Sequence, residues 1–147
     1  KPGVPNMFGA VGKEANAIAP GKRMLSSMTP TIVLKNNKPY LVVGTPGGTT
    51  IPTSVFQTLV NILEFNQSPL EAVNNPKFHH QWLPDQVVIE NDFPQQVQSS
   101  LSTMGYSFQK RGQIGRTEVI KIDWQKNKVT QIDAVADKRG DDHAAAY

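Results

Sequence analysis

The sequence contains no cysteine, which excludes disulfides, thiolate nucleophiles and sulfur-ligated metals while leaving the compartment open. No apolar run approaches the roughly 18 residues that a membrane helix needs. There is no phosphate loop in which a lysine follows the glycines, and no G-x-S-x-G elbow. Basic clusters interleaved with aromatics are also missing, so nucleic-acid binding is not indicated. Aromatic residues make up 7% and charged residues 18%, against 38% hydrophobic, which are values for a globular chain. The sequence opens on Lys1-Pro2-Gly3 without an initiator Met or a signal-peptide pattern, and this reads as a cut or processed end.

What is present amounts to one domain's length, 147 residues, with eleven Gly and eleven Pro. That content predicts many turns and short elements. The net charge of +3 is unevenly placed. Six Lys or Arg stand against one acid in residues 1–63, and nine against eleven in residues 64–147. A positive first half suits a small anionic substrate.

The most informative stretch runs from Ser26 to Gly48. Thr31 to Leu34 and Tyr40 to Val43 are rich in β-branched and aromatic residues and read as strands. Asn36-Asn37 is a plausible two-residue turn, because Asn tolerates positive φ. If Lys35 faces Lys38, paired residue numbers sum to 73, which sets Ser26 opposite Gly47 and Ser27 opposite Pro46. Two hydroxyls then stand beside two consecutive glycine amides. Pro46 presets the second position of a turn and Gly47 can supply the positive φ of the third. Successive N–H groups in such a turn form a nest for negative oxygen. Thr49, Thr50 and Pro52 read as the first turn of a helix that adds positive potential there. The same pattern also serves an ordinary strand-to-helix connection.

Elsewhere, Lys1 to Pro20 reads as a long loop, either a cover over a site or a flexible arm. Thr53 to Asn66 is the best helix, with Val55, Phe56, Leu59, Val60, Ile62 and Leu63 on one apolar face. Ser68-Pro69-Leu70-Glu71 carries a capping box, and Asn75-Pro76 ends that second helix. His79 and His80 are adjacent and would face opposite ways in a strand, so packing or hydrogen bonding suits them better than a shared metal. Gln86 to Glu90 reads as a strand. Asp92 is expected to cap a helix whose Val97, Leu101 and Met104 stripe belongs to the core, with Gly105 at its end. Thr117 to Trp124 and Val129 to Ala136 form a second hairpin, with Ile120, Ile122 and Trp124 on one face and Lys121 and Asp123 on the other. The order predicts an α+β fold built on hairpins rather than βαβ crossovers, as a single domain over 1–147.

Three motifs in sequence order carry a family resemblance. They are Lys22-Arg23-Met24-Leu25-Ser26-Ser27-Met28-Thr29-Pro30-Thr31, Gly44-Thr45-Pro46-Gly47-Gly48 and Phe78-His79-His80-Gln81-Trp82-Leu83-Pro84-Asp85. With the opening Lys1-Pro2-Gly3-Val4-Pro5-Asn6 and the ending Asp141-Asp142 through Ala146-Tyr147, they resemble the γ-glutamyltranspeptidase family over essentially the whole chain. The resemblance implies the C-terminal part of the small catalytic subunit and part of the four-layer αββα sandwich of N-terminal-nucleophile hydrolases. It assigns Ser26 and Ser27 to the α-carboxylate of a γ-glutamyl group, Gly47 and Gly48 to the oxyanion hole, and Phe8 to a lid loop within residues 1–20. Phe8 lacks the hydroxyl of the tyrosine often found there.

The resemblance also implies a glutathione-type substrate, no cofactor and no metal, and a bacterial, periplasmic or secreted protein. The partners it implies are the large subunit and the N-terminal part of the small subunit of the same precursor, without a membrane span. The nucleophilic N-terminal Thr of that mechanism would lie upstream of Lys1, so the isolated chain is expected to be inactive. Three readings stay open: a fragment of a γ-glutamyltransferase or glutathione hydrolase, a non-catalytic carboxylate-binding domain, and a family relative that is an acylase for another acyl group.

Overall fold

The computed structural model describes residues 3–25 and 28–145. The predicted hairpin forms from β1 (Thr31–Lys35) and β2 (Lys38–Gly44). Its turn residues Asn36 and Asn37 take φ of 54° and 59°, the mirror-image turn that matches strand twist. Lys35 pairs with Lys38 and Leu34 with Pro39, as the predicted register requires. The register then shifts by one, so that Val33 pairs with Leu41 and Thr31 with Val43. Pro39 has no N–H to give the ladder, and a bulge absorbs the extra residue. The expected pairing of Ser26 with Gly47 and Ser27 with Pro46 therefore fails at its premise; both serines lie outside the described residues.

The Pro46-Gly47 turn leads through a 3₁₀ turn at Gly48–Thr50 into α1 (Ile51–Leu63). The helix starts and stops earlier than predicted. Pro52 is accommodated in its first turn, and Asn66 with φ 53° lies past its end. Its buried side is Ile51, Ser54, Val55, Thr58 and Ile62, whereas Phe56 is 63% exposed and Leu63 is exposed too. Small hydroxyl residues let the helix lie close to the sheet, and Thr58 satisfies its own hydroxyl by donating to the Ser54 carbonyl at 3.0 Å. The capping box at α2 (Pro69–Asn74) forms as expected, with the Ser68 hydroxyl accepting from Glu71 N–H and Glu71 accepting from Ser68 N–H.

The larger sheet has the order β1-β2-β6-β7, with β6 at Glu118–Gln125 and β7 at Lys128–Val135. Leu41, Val43 and Val119 on one face meet Val55, Ile62, Ala72 and Val73 from α1 and α2 to make the core. Each of the Leu, Val and Ile side chains contributes about 1.5–3 kcal/mol by leaving water. The opposite face aligns Ile32, Val42, Ile120 and Ala134 across four strands, with Ile122 beside Ile132. Ile132 is 57% exposed, and Ile32 and Ile120 are exposed as well.

The smaller sheet joins β3 (Phe78–His79), β4 (Val87–Glu90) and β5 (Phe108–Arg111). β4 and β5 run parallel, connected by α3 (Gln95–Thr103). One βαβ crossover is thus present where only hairpins were expected; a helix spans the connection that a parallel pair needs. Asp92 does not cap α3. Pro94 is the N-cap residue, and a proline there disfavours helical conformation in the residue before it. Nor is the Val97, Leu101 and Met104 stripe core. No residue of α3 is buried, and Met104 is 70% exposed.

Candidate active site

The turn after β2 presents two amides. Gly47 has φ 147° and Gly48 has φ 60°, conformations that cost an L side chain but not glycine. The Gly47 carbonyl accepts from Thr50 N–H at 3.2 Å and from the Thr50 hydroxyl at 2.9 Å, which fixes the turn from its far side. Among the described residues the N–H groups of Gly47 and Gly48 donate to nothing. Both sit where α1 begins, so its free amides add positive potential. The arrangement can receive a negative oxygen.

Phe8 lies directly over this turn. A Cβ placed on Gly48 would stand 2.5 Å from the Phe8 ring, so glycine is required by space as well as by φ. The Thr49 hydroxyl donates to the Phe8 carbonyl at 3.4 Å. Asn6 shapes the loop, its side-chain oxygen accepting from Phe8 N–H at 2.9 Å and Ala10 N–H at 3.1 Å. Within the loop read over residues 1–20, Pro5 bridges to Val11.

The histidines divide as the strand predicts. His79 is buried and His80 is exposed. His79 Nδ1 lies 2.8 Å from the Thr53 hydroxyl in the first turns of α1, and its Nε2 lies 3.0 Å from Gln81 Oε1. The Gln81 amide is in turn 3.1 Å from the position of a Cβ at Gly9 in the lid loop. His80 pairs with Asp85 at the surface. No group of three or more His, Asp or Glu among the described residues could hold a metal ion.

Sequence reasoning missed a buried cluster of four charges. Arg139 donates to both oxygens of Glu90, at 2.7 and 2.6 Å, and to Asp137 at 2.9 Å. Lys77 reaches Asp137 at 3.4 Å and the Val73 carbonyl at 2.7 Å. Burial alone would push both carboxyls up. Hydrogen bonds from Arg139 and from the Lys77 and Ile114 amides hold Glu90 below its usual value. The Thr117 and Arg139 amides, with the Lys77 and Arg139 charges, do the same for Asp137. Burial lowers Lys77 by more than Asp137 restores. The only sequence signal was Lys77 set between Pro76 and Phe78, together with Asp137-x-Arg139 just after a strand.

The geometry can be set beside known proteins. The model of the gamma-glutamyltranspeptidase family matches residues 1–147. The glutathione hydrolase proenzyme of Escherichia coli (strain K12) is 46% identical over 122 residues, covering 83% of this chain and 21% of that protein. A crystal structure of a mutant Helicobacter pylori gamma-glutamyltranspeptidase superposes with a TM-score of 0.89 at 45% identity, covering 95% of this chain and 75% of that one. Cephalosporin acylase from Bacillus halodurans superposes with a TM-score of 0.79 at 28% identity, covering 89% and 24%. The chain thus spans about a fifth of the curated relative, and its mixed helix and strand layers are α+β, as in those enzymes. A glycine turn whose amides have no partner among the described residues, beneath an aromatic loop, and a family model that matches from the first residue to the last, lead to one conclusion: the chain belongs to the gamma-glutamyltranspeptidase family.

Proposed function

We propose that this chain forms one side of the active site of a γ-glutamyltransferase or glutathione hydrolase. The observation that carries the reading is the pair of consecutive glycine amides without partners among the described residues, at the start of α1 and under Phe8. In this proposal Gly47 and Gly48 stabilise the oxyanion. Ser26 and Ser27, outside the described residues, hold the α-carboxylate of the donor, and Phe8 covers the pocket. The nucleophile is a Thr hydroxyl supplied by another part of the precursor. Its oxygen bonds to the γ-amide carbon while its own α-amine takes the proton. The C=O electron pair moves onto the carbonyl oxygen, where the two amides receive it. Collapse expels the amine with that proton, and water or an amino acid then accepts the γ-glutamyl group from the ester.

The exposed apolar face of the large sheet supports a further element of this proposal. Large aligned apolar surfaces are rarely left in water, so the remaining parts of the same precursor are its natural cover. The proenzyme naming of the Escherichia coli relative fits such a processed precursor. A periplasmic or secreted location, as the resemblance implies, completes the proposal; fractionation of cells producing the whole protein checks it. No helix among the described residues is long and apolar enough to cross a membrane.

The test compares Gly48→Val and Ser27→Ala in the complete protein, with a γ-glutamyl anilide as donor. Valine cannot adopt φ 60° without strain and collides with the Phe8 ring. The expected loss is about 10²–10³ in kcat, the size of one oxyanion donor. Ser27→Ala removes a bond to a group already charged in the ground state, about 1.5–3 kcal/mol, expressed mainly in KM. Phe8→Ala, measured alongside, removes the ring without touching the amides, and so separates lid displacement from oxyanion loss. Near-normal kcat in Gly48→Val sinks the assignment. The similarity to cephalosporin acylase favours one second reading, an acylase of another acyl group, which glutaryl and γ-glutamyl donors assayed side by side distinguish.

A further inference from the structure

We infer that Gly115 is a positioning residue for the glycine turn, held against it by the buried Lys77, Glu90, Asp137 and Arg139 cluster. The inference rests on the proposed role of Gly47 and Gly48. Gly115 lies in the loop between β5 and β6 and has φ 68°. A Cβ on Gly47 would meet the Gly115 Cα at 3.4 Å, so the two backbones face each other with room for no more than one side-chain carbon between them. A Cβ on Gly115 would meet the Ser54 hydroxyl at 2.8 Å and the Thr45 hydroxyl at 3.0 Å. These are the residues immediately before the turn and in the first turns of α1. Ser54 Oγ is fully buried and has no hydrogen-bond partner among the described residues, so the space into which a side chain at 115 would project is already filled by a hydroxyl that has no solvent to retreat into.

The loop cannot move away to relieve such a contact. Its backbone is tied on both sides of Gly115. Ile114 N–H donates to Glu90 Oε1 at 2.8 Å, and Thr117 N–H donates to Asp137 Oδ2 at 2.7 Å. Between them, Arg116 N–H donates to the Thr45 hydroxyl at 2.8 Å. Ile114 and Thr117 are completely buried. Glu90 and Asp137 are themselves clamped by Arg139 and Lys77. The charge cluster is therefore a rigid footing that sets the height of residues 114–117, and Gly115 transmits that height to the Pro46-Gly47 turn. A preorganised donor pair needs such support, because a displacement of about 1 Å costs on the order of 10²-fold in rate.

The experiment measures kcat and KM with a γ-glutamyl anilide on the complete protein carrying Gly115→Ala, Thr45→Val, Thr45→Ser or Ile62→Val. Gly115→Ala is expected to lower kcat by about 10- to 10²-fold, with KM within about threefold. Thr45→Val, which removes both the acceptor for Arg116 N–H and the hydroxyl's own donation to the Pro46 carbonyl, should lower kcat in the same sense, and Thr45→Ser, which keeps both bonds, should restore it. Ile62→Val loosens the same helix layer without touching the turn and should leave kcat unchanged. If Gly115→Ala does not yield folded protein, the Thr45 pair decides. Normal kcat in Gly115→Ala and Thr45→Val while Gly48→Val is inactive overturns the positioning role and leaves the oxyanion reading standing. Normal kcat in all three overturns both. An equal fall in kcat for Ile62→Val assigns the effect to general loosening and also overturns the inference.

Discussion

Replacing Arg139 with Ala removes the centre of the buried charge cluster. The guanidinium makes five hydrogen bonds, to both Glu90 oxygens, Asp137 Oδ1 and the carbonyls of Val73 and Asn75. Its side chain is 4% exposed and that of Glu90 is 3% exposed, so water cannot replace what is lost. Breaking a buried pair by deleting one partner costs about 3–5 kcal/mol, chiefly because the remaining charge stays buried and unpaired. That is a large share of the stability of an ordinary domain, about 5–15 kcal/mol. The loss should be felt first where Glu90 and Asp137 hold the backbone, at the Ile114 and Thr117 amides. At about 1.4 kcal/mol per tenfold change, exchange of those amides with deuterium should accelerate by about 10²–10⁴. Arg139→Lys keeps the charge but not the fork and should fall between wild type and Arg139→Ala. Exchange mass spectrometry on the complete protein, followed through a peptide spanning 112–118, reads the effect beside a thermal melt. Unchanged exchange in that peptide together with an unchanged Tm refutes the reasoning.

Three further outcomes concern titration and capping. Glu90 and Asp137 have lowered folded pKa values, so their stabilisation is present above the unfolded carboxylate range near about 4 and is lost as pH falls through the folded values. Tm should therefore fall in acid, and the fall should be shallower in Glu90→Gln; parallel curves for the two proteins would contradict this. Glu118 is the opposite case. Burial raises its pKa and one of its oxygens has no partner among the described residues, so stability present below about 4 is lost as pH rises, and Glu118→Gln should raise Tm at pH 7. A lower Tm there would show the charge to be useful. Ser68→Ala breaks the capping box of α2 and should cost about 1 kcal/mol; chemical denaturation showing no loss would mean that packing alone holds that helix.

The elements that the sequence announced are those with local rules. The Asn36-Asn37 turn, the Ser68 capping box and the two sides of His79-His80 each depend on a few adjacent residues. Elements decided by distant partners were harder to read. The bulge at Val33 and Leu34 depends on Pro39 across the hairpin. The buried side of α1 depends on the close approach of the sheet, which favours Ser54 and Thr58 over Phe56. Pro94 overrode Asp92 as the start of α3. Alternation set Ile120 and Ile122 of β6 on one face but did not say which face is covered, and α1 and α2 cover the Val119 side. Gly47, Gly48 and Phe8 were legible through family resemblance, and the structure brings these three together. Gly115 was not legible, because the residues it lies against, Thr45 and Ser54, are distant in sequence.

The four buried charges come from three separated stretches: Lys77, Glu90, and Asp137 with Arg139. A ribosome that stalls between β7 and Asp137 leaves Lys77 and Glu90 in place but omits the countercharges around which they are buried. Such a product has a local defect of several kcal/mol at its centre. Quality-control proteases that sample transient opening would then distinguish whole copies from incomplete ones. The cluster doubles as a seal of completeness, readable without any recognition of the missing segment itself.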